Sequence, residues 1–275
     1  MSKKSKEKMH PYIPELANKL RKGEVSRRDF LQTAAVLGVS ASAAYAMAGL
    51  PGPGRKAHAA AKQGGNLRVS MNVKATDDPA TFDWSEKGNV ARHMTEPLVR
   101  IGDDGVAQPY LAESWSASED LKTWTFNLRK GATWSNGDAF GADDVIHNFR
   151  RWLDPATGSS NQGRFSSMTT TSDTGKKDDK GNAIMSTTEA GGSLEKVDDH
   201  TVRFNLNNAD LALPESMADY PALMVNRRFD DEGGDLMKNP VGTGPYTLKD
   251  FAIGEKATLV RRTDAPWWGG EVNLD

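Results

Sequence analysis

The sequence predicts a mixed α/β fold on three observations. Short runs with apolar residues at every second position recur along the chain, one run at 142–153 has helical spacing, and Asp, Asn, Gly and Pro punctuate both. The 275 residues allow one or two domains. Residues 1–59 read as a separate head, and residues 60–275 as one body.

The body's elements follow in order. Residues 66–73 (NLRVSMNV) set Leu67, Val69, Met71 and Val73 in alternation, the period of a half-buried strand, and Asp77, Asp78 and Pro79 end it. Residues 98–101 read as a second strand, closed by the turn Asp103-Asp104-Gly105. In 123–128, Trp124, Phe126 and Leu128 alternate onto one face. Gly131 and Asn136-Gly137-Asp138 are turns. A helix is expected over 142–153, with Asp143 and Asp144 in the first turn, where the helix dipole favours acids. Its Val145, Ile146, Phe149, Trp152 and Leu153 share a face, and Asp154-Pro155 stops it. Residues 156–193, dense in Ser, Thr, Gly, Lys and Asp, read as an exposed excursion that holds a short helix or a ribbon. A hairpin is expected from 194–197 and 201–206 across Asp198-Asp199-His200. A short helix opens at Pro214. Residues 223–225 and 246–251 read as strands, the latter paired with 257–262.

Charge divides the chain the same way. Residues 1–59 hold 11 Lys+Arg against 4 Asp+Glu, whereas the whole chain has a net charge of −2, so the body is acidic. An acidic body argues against nucleic acid as a partner, because phosphate binding needs clustered Lys and Arg. Outside the head no window of about 20 residues is apolar throughout, so the body is not expected to span a membrane. The absence of Cys excludes a disulfide framework, a thiolate zinc site and a Cys nucleophile.

The head reads as an export address rather than a folded element. A basic region ends in Ser26-Arg27-Arg28-Asp29-Phe30-Leu31, a weakly apolar, Ala-rich stretch follows, and Pro51-Gly52-Pro53-Gly54 breaks it. The paired Arg27 and Arg28 before Phe30 and Leu31 match a twin-arginine signal. Ala57 and Ala59 flank His58 as small residues that a signal peptidase reads, which places cleavage after Ala59 and the mature protein in the periplasm. The twin-arginine translocase is then a partner during export. The competing reading is a basic tail followed by a buried Ala-rich helix.

Catalytic chemistry finds no anchor. His93, His147 and His200 of the body lie far apart in sequence, so no metal site and no cofactor is expected. Val241-Gly242-Thr243-Gly244-Pro245 is Gly-rich but lacks the Lys of a phosphate loop, and no Gly-x-Ser-x-Gly elbow occurs. No catalytic residue is assigned. Of the seven tryptophans, Trp115, Trp124 and Trp152 fall on core faces. Trp84 follows Phe82 and Asp83 in a loop after the first strand, where ligands meet α/β sheets, and reads as either ligand surface or packing.

Two stretches carry a resemblance. Residues 108–153 (QPYLAESWSASEDLKTWTFNLRKGATWSNGDAFGADDVIHNFRRWL) hold Pro109, Leu111, Ala112, Trp115, Leu128-Arg129-Lys130-Gly131 and Asp143-Asp144-Val145 in order. Residues 239–270 (NPVGTGPYTLKDFAIGEKATLVRRTDAPWWGG) run from Asn-Pro-x-Gly-Thr-Gly-Pro-Tyr to Trp-Gly-Gly. Both resemble the extracellular solute-binding proteins of family 5, which serve ABC importers of peptides, nickel and related solutes. The resemblance implies the mixed-sheet lobe of a class II periplasmic binding protein, with the second lobe missing or truncated. It implies capture without catalysis: two lobes close on a small solute, with peptide the leading class, and present it to an ABC permease at the inner membrane. It points to Phe82, Asp83, Trp84, Thr95 and Glu96 as ligand-binding residues. It adds Thr243, Gly244 and Tyr246 near the hinge, for which turn chemistry is the competing reading. Gly141 stands where the family carries a Thr or Ser cap, which implies a weaker helix start. An exported enzyme and a truncated product without function are the alternatives.

Overall fold

A computed structural model describes residues 9–50 and 63–275. The body is built on a four-stranded antiparallel sheet. Its members are β3 (Ala112–Ala117), β4 (Thr123–Leu128), β7 (Leu194–Asp198) and β8 (Thr201–Asn205), in the order β3-β4-β8-β7. Before it come helix α4 (Ser85–Ala91) and a ribbon of β1 (Val99–Ile101) with β2 (Ala107–Pro109). Helix α5 (Ala142–Leu153) follows β4, α6 (Leu213–Ser216) follows β8, and a second ribbon pairs β9 (Tyr246–Ala252) with β10 (Lys256–Arg261). Strand pairs among the described residues are antiparallel throughout.

The alternation read in residues 123–128 sets the core. Trp124, Phe126 and Leu128 are at most 1% exposed, and β4 lies between β3 and β8. Helix α5 lays Phe149 and Trp152 on that face, with Phe149 4.7 Å from the Phe204 ring of β8 and Trp152 stacked on Phe165 at 5.5 Å. Gly141 has no side chain to cap α5, and Asp144 accepts the Gly141 N–H instead, at 3.0 Å. A Cβ at Gly141 would sit 2.8 Å from the Asp199 carbonyl oxygen, while the next residue, Ala142, donates to that oxygen at 2.9 Å. Close approach to the β7–β8 turn therefore excludes the usual capping residue.

The excursion at 156–193 forms the ribbon β5 (Thr169–Lys177) with β6 (Ala183–Glu189), exposed along most of its length. Two expected strands are corrected. Residues 66–73 are extended but make no ladder, and Leu67 and Val69 are 72% and 68% exposed. The alternation is present without a ladder, and at its end the Val73 carbonyl accepts the Gly254 N–H of the β9–β10 turn at 2.8 Å. Residues 223–225 are buried but pair with no described strand: Asn148 Nδ2 donates to the Val225 carbonyl at 2.7 Å, Val225 N–H donates to Asn148 Oδ1 at 2.9 Å, and Met224 N–H donates to the Glu96 carbonyl at 3.0 Å.

The head also departs from expectation, because it is folded. Helices α1 (Tyr12–Lys22), α2 (Arg27–Val36) and α3 (Ala41–Met47) bury Ile13, Leu16, Phe30, Leu31, Ala34, Leu37 and Ala44 together with Val106 of the body. An Ala-rich stretch packs closely with little side-chain entropy to lose, which is why weak hydrophobicity still yields a buried layer. Ala57 and Ala59 lie outside the described residues. No described helix is long and apolar enough to cross a membrane.

Candidate functional site

The site begins where α4 ends. His93, Met94, Thr95 and Glu96 turn the chain towards β1, and the segment from Val241 to Tyr246 lies directly on that turn. Gly244 N–H donates to the Met94 carbonyl at 2.7 Å, and Tyr246 N–H donates to the His93 carbonyl at 3.2 Å. A Cβ at Gly242 would overlap the Met94 carbonyl, and one at Gly244 would lie 2.5 Å from the His93 carbonyl. The two glycines thus exist for backbone-to-backbone approach. Arg262 locks the segment from outside: its Nη1 donates to the Gly242 and Gly244 carbonyls at 3.0 and 3.1 Å, and its Nη2 pairs with Asp264 at 2.6 Å.

This approach buries Glu96 completely. Its two carboxylate oxygens accept from the indole N–H groups of Trp267, at 3.1 Å, and Trp268, at 2.8 Å. Burial pushes the Glu96 carboxyl up from its ordinary value, while the Trp268 indole, the Thr243 and Tyr110 hydroxyls and the Trp267 indole pull it back. Burial and the neighbouring Glu96 charge push the Tyr110 phenol well up. Trp268 meets the Tyr110 ring edge-on at 5.1 Å, and the Arg129 guanidinium lies 4.2 Å from the Trp268 centroid. Arg129 also donates to the Tyr110 carbonyl at 2.9 Å. The result is a fully buried carboxylate with an indole donor on each oxygen and aromatic rings over it, which orients Trp267 and Trp268.

Thr95, Glu96, Thr243, Gly244 and Tyr246 are therefore brought together, with Thr95, Glu96 and Thr243 buried. The second group splits. Phe82 is fully buried in a separate apolar cluster with Ala91, Leu223, Val225, Phe229 and Leu236. Asp83 is exposed and pairs with Lys87 at 2.8 Å, which holds its carboxyl below the usual range. Trp84 is 54% exposed, with the Lys74 ammonium 3.7 Å from its ring centroid. Of the eight residues, Asp83 and Trp84 lie open to solvent, and Tyr246 is half-buried. Sequence reasoning missed Tyr110, Trp267 and Trp268 as partners of Glu96, and Arg129 over the Trp268 ring. A buried acid needs donors, and two adjacent tryptophans outside any apolar periodicity need acceptors; that pairing of needs was the available signal.

A charged cleft of about 650 Å³ lies elsewhere, lined by Asp78, His147, Arg151, Asp154 and Asp230 among others. Arg151 spans it, bonding Asp78 at 2.8 Å and Asp230 at 2.9 Å. Among the described residues no group of three His, Asp or Glu is placed to hold a metal ion.

The fold is that of periplasmic binding proteins. The crystal structure of Haemophilus influenzae OppA in complex with RPPGFSPFR matches 76% of this chain and 39% of its own, at 29% identity and a TM-score of 0.59. The family model for bacterial extracellular solute-binding proteins, family 5 Middle, matches residues 106–275, and the chain belongs to that family. The periplasmic oligopeptide-binding protein OppA of Haemophilus influenzae is 33% identical over 67% of this chain and 34% of its own length. The nickel-binding periplasmic protein of Escherichia coli is 32% identical over 63% of this chain and 29% of its own. The dipeptide-binding protein DppE of Bacillus subtilis is 29% identical over 79% and 40%. The chain thus spans about a third of the length of the curated relatives it matches.

Proposed function

We propose that this chain supplies one wall of a periplasmic solute-binding protein that captures a peptide and delivers it to an ABC permease. The observation that carries the reading is the family match across residues 106–275, joined to a wall whose glycine-tight turn and Trp pair are fixed around Glu96. Peptide is favoured because the oligopeptide- and dipeptide-binding relatives match most of the chain. On the open side, Trp84 and Tyr246 offer aromatic faces and Lys74 a charge. The Arg27-Arg28-x-Phe30-Leu31 run supports export by the twin-arginine translocase, with cleavage after Ala59.

The test is native mass spectrometry on a polypeptide carrying both lobes, purified from the periplasm, followed by calorimetry with peptides of two to nine residues and with nickel. A retained peptide and saturable peptide binding are expected. Nickel binding without peptide binding would keep the capture role and overturn the peptide assignment. Turnover of the ligand would overturn capture itself.

A further inference from the structure

The head helices lie on the body through a built interface. Gly38, just past α2, adopts a left-handed φ of 84°, and a Cβ there would overlap the Trp115 carbonyl. Trp115 in turn donates its indole N–H to the Val36 carbonyl at 2.7 Å. Gln32 Nε2 donates to the Gly105 carbonyl at 3.2 Å, and His10 Nε2 lies 3.1 Å from the Ser118 carbonyl. These contacts join α2 and the start of α1 to the β1–β2 turn and the end of β3. Within the layer, Phe30 is fully buried and Leu31 is 8% exposed, while Arg27 and Arg28 remain exposed.

We propose that the body is the receptor for its own export helix: docking of α2 on the Gly105–Val106 turn and Trp115 closes Phe30 and Leu31 off from the translocase. The inference rests on the twin-arginine reading above and adds a gate to it. A folded precursor displays the two arginines and hides the apolar pair that completes the signal. Release of the head then sets how much precursor is readable, because a partner that binds only the released form sees its affinity reduced by the released fraction. The interface suits reversible release. Across it the body contributes Val106, Trp115 and the edge of Leu121, and most of the remaining contacts are single hydrogen bonds to backbone carbonyls.

Two variants separate docking from the signal itself. Gly38→Val drives a side chain into the Trp115 carbonyl without touching Arg27, Arg28, Phe30 or Leu31. Trp115→Phe removes the donor to Val36 from the body side and keeps a ring beside Phe126. Hydrogen exchange on the full precursor reads docking, and pulse-chase in a bacterial host with a twin-arginine translocase reads precursor processing. In the wild type the α2 amides are expected to be protected. Both variants should lose that protection, keep protection in β4 and α5, and mature severalfold faster. Unprotected α2 amides in the wild type would overturn the proposal, as would variants that undock yet mature at the wild-type rate. Normal export of the Arg27→Lys, Arg28→Lys double variant would instead remove the twin-arginine reading, and exchange would still report docking by itself.

Discussion

Glu96, which the resemblance points to as a ligand contact, is held in the structure by the indoles of Trp267 and Trp268, one on each carboxylate oxygen. Glu96→Gln keeps one acceptor and turns an amide N–H₂ towards the other indole. Leaving that buried donor unpaired costs about 1–3 kcal/mol, a loss that thermal melting should register. The pH dependence follows from burial, the leading cause of the raised Glu96 carboxyl. A folded-state value above the unfolded one means the native state holds the proton more tightly. The Glu96 contribution is therefore full below the ordinary carboxylate range and is lost as pH rises through the raised value. Melting curves from about pH 4 to 8 should show this decline, and Glu96→Gln should flatten it. At the glycines, Gly242→Ala meets the Met94 carbonyl and should lower the melting temperature sharply. Gly163→Ala has open space around its Cβ and an ordinary φ, so it should be neutral or gain about 0.4–1 kcal/mol.

Among the elements, β4 and α5 carry the core. Trp124→Ala should cost about 3–5 kcal/mol and abolish stable folding, whereas Lys130→Ala, at an exposed position, should leave melting unchanged. These elements were legible because their periodicities, two for β4 and 3.6 for α5, coincide with burial on one face. The β7–β8 and β9–β10 hairpins and the short helix at Leu213–Ser216 were legible from their turn residues and Pro214. Legibility failed where a partner decides the state. Residues 66–73 alternate as a strand does but form no ladder, and Val73 instead meets the β9–β10 turn through the Gly254 N–H. Residues 223–225 are apolar enough for a strand, but Asn148 takes the hydrogen bonds of Val225 and the Glu96 carbonyl takes that of Met224. The packing of the head was not legible for a related reason: its burial depends on a body turn some 70 positions away, as the Gln32–Gly105 bond shows. In the candidate site, the Gly-Thr-Gly run was legible as turn chemistry, but nothing in the spacing joined Glu96 to tryptophans 171 and 172 positions later.

At the scale of the molecule, the proposed peptide capture implies that a single wall would leave a bound peptide half in water. Immobilising a ligand costs roughly 4 kcal/mol or more, and one face offers few contacts to offset it. Calorimetry on residues 60–275 alone should therefore give no peptide binding tighter than about millimolar. On the proposed capture role, Trp84→Ala in a polypeptide carrying both lobes should weaken peptide binding without shifting the melting temperature. The β5–β6 ribbon has a different consequence. Its Asp178 side chain accepts the N–H groups of Lys180 and Asn182, so the tip closes on itself and borrows nothing from the sheet. Sequence placed between Lys180 and Gly181 would hang from a self-contained fork. The ribbon is thus the port through which a fluorescent or affinity domain could be grafted, and an unchanged melting temperature in such a graft would show that the lobe does not notice its passenger.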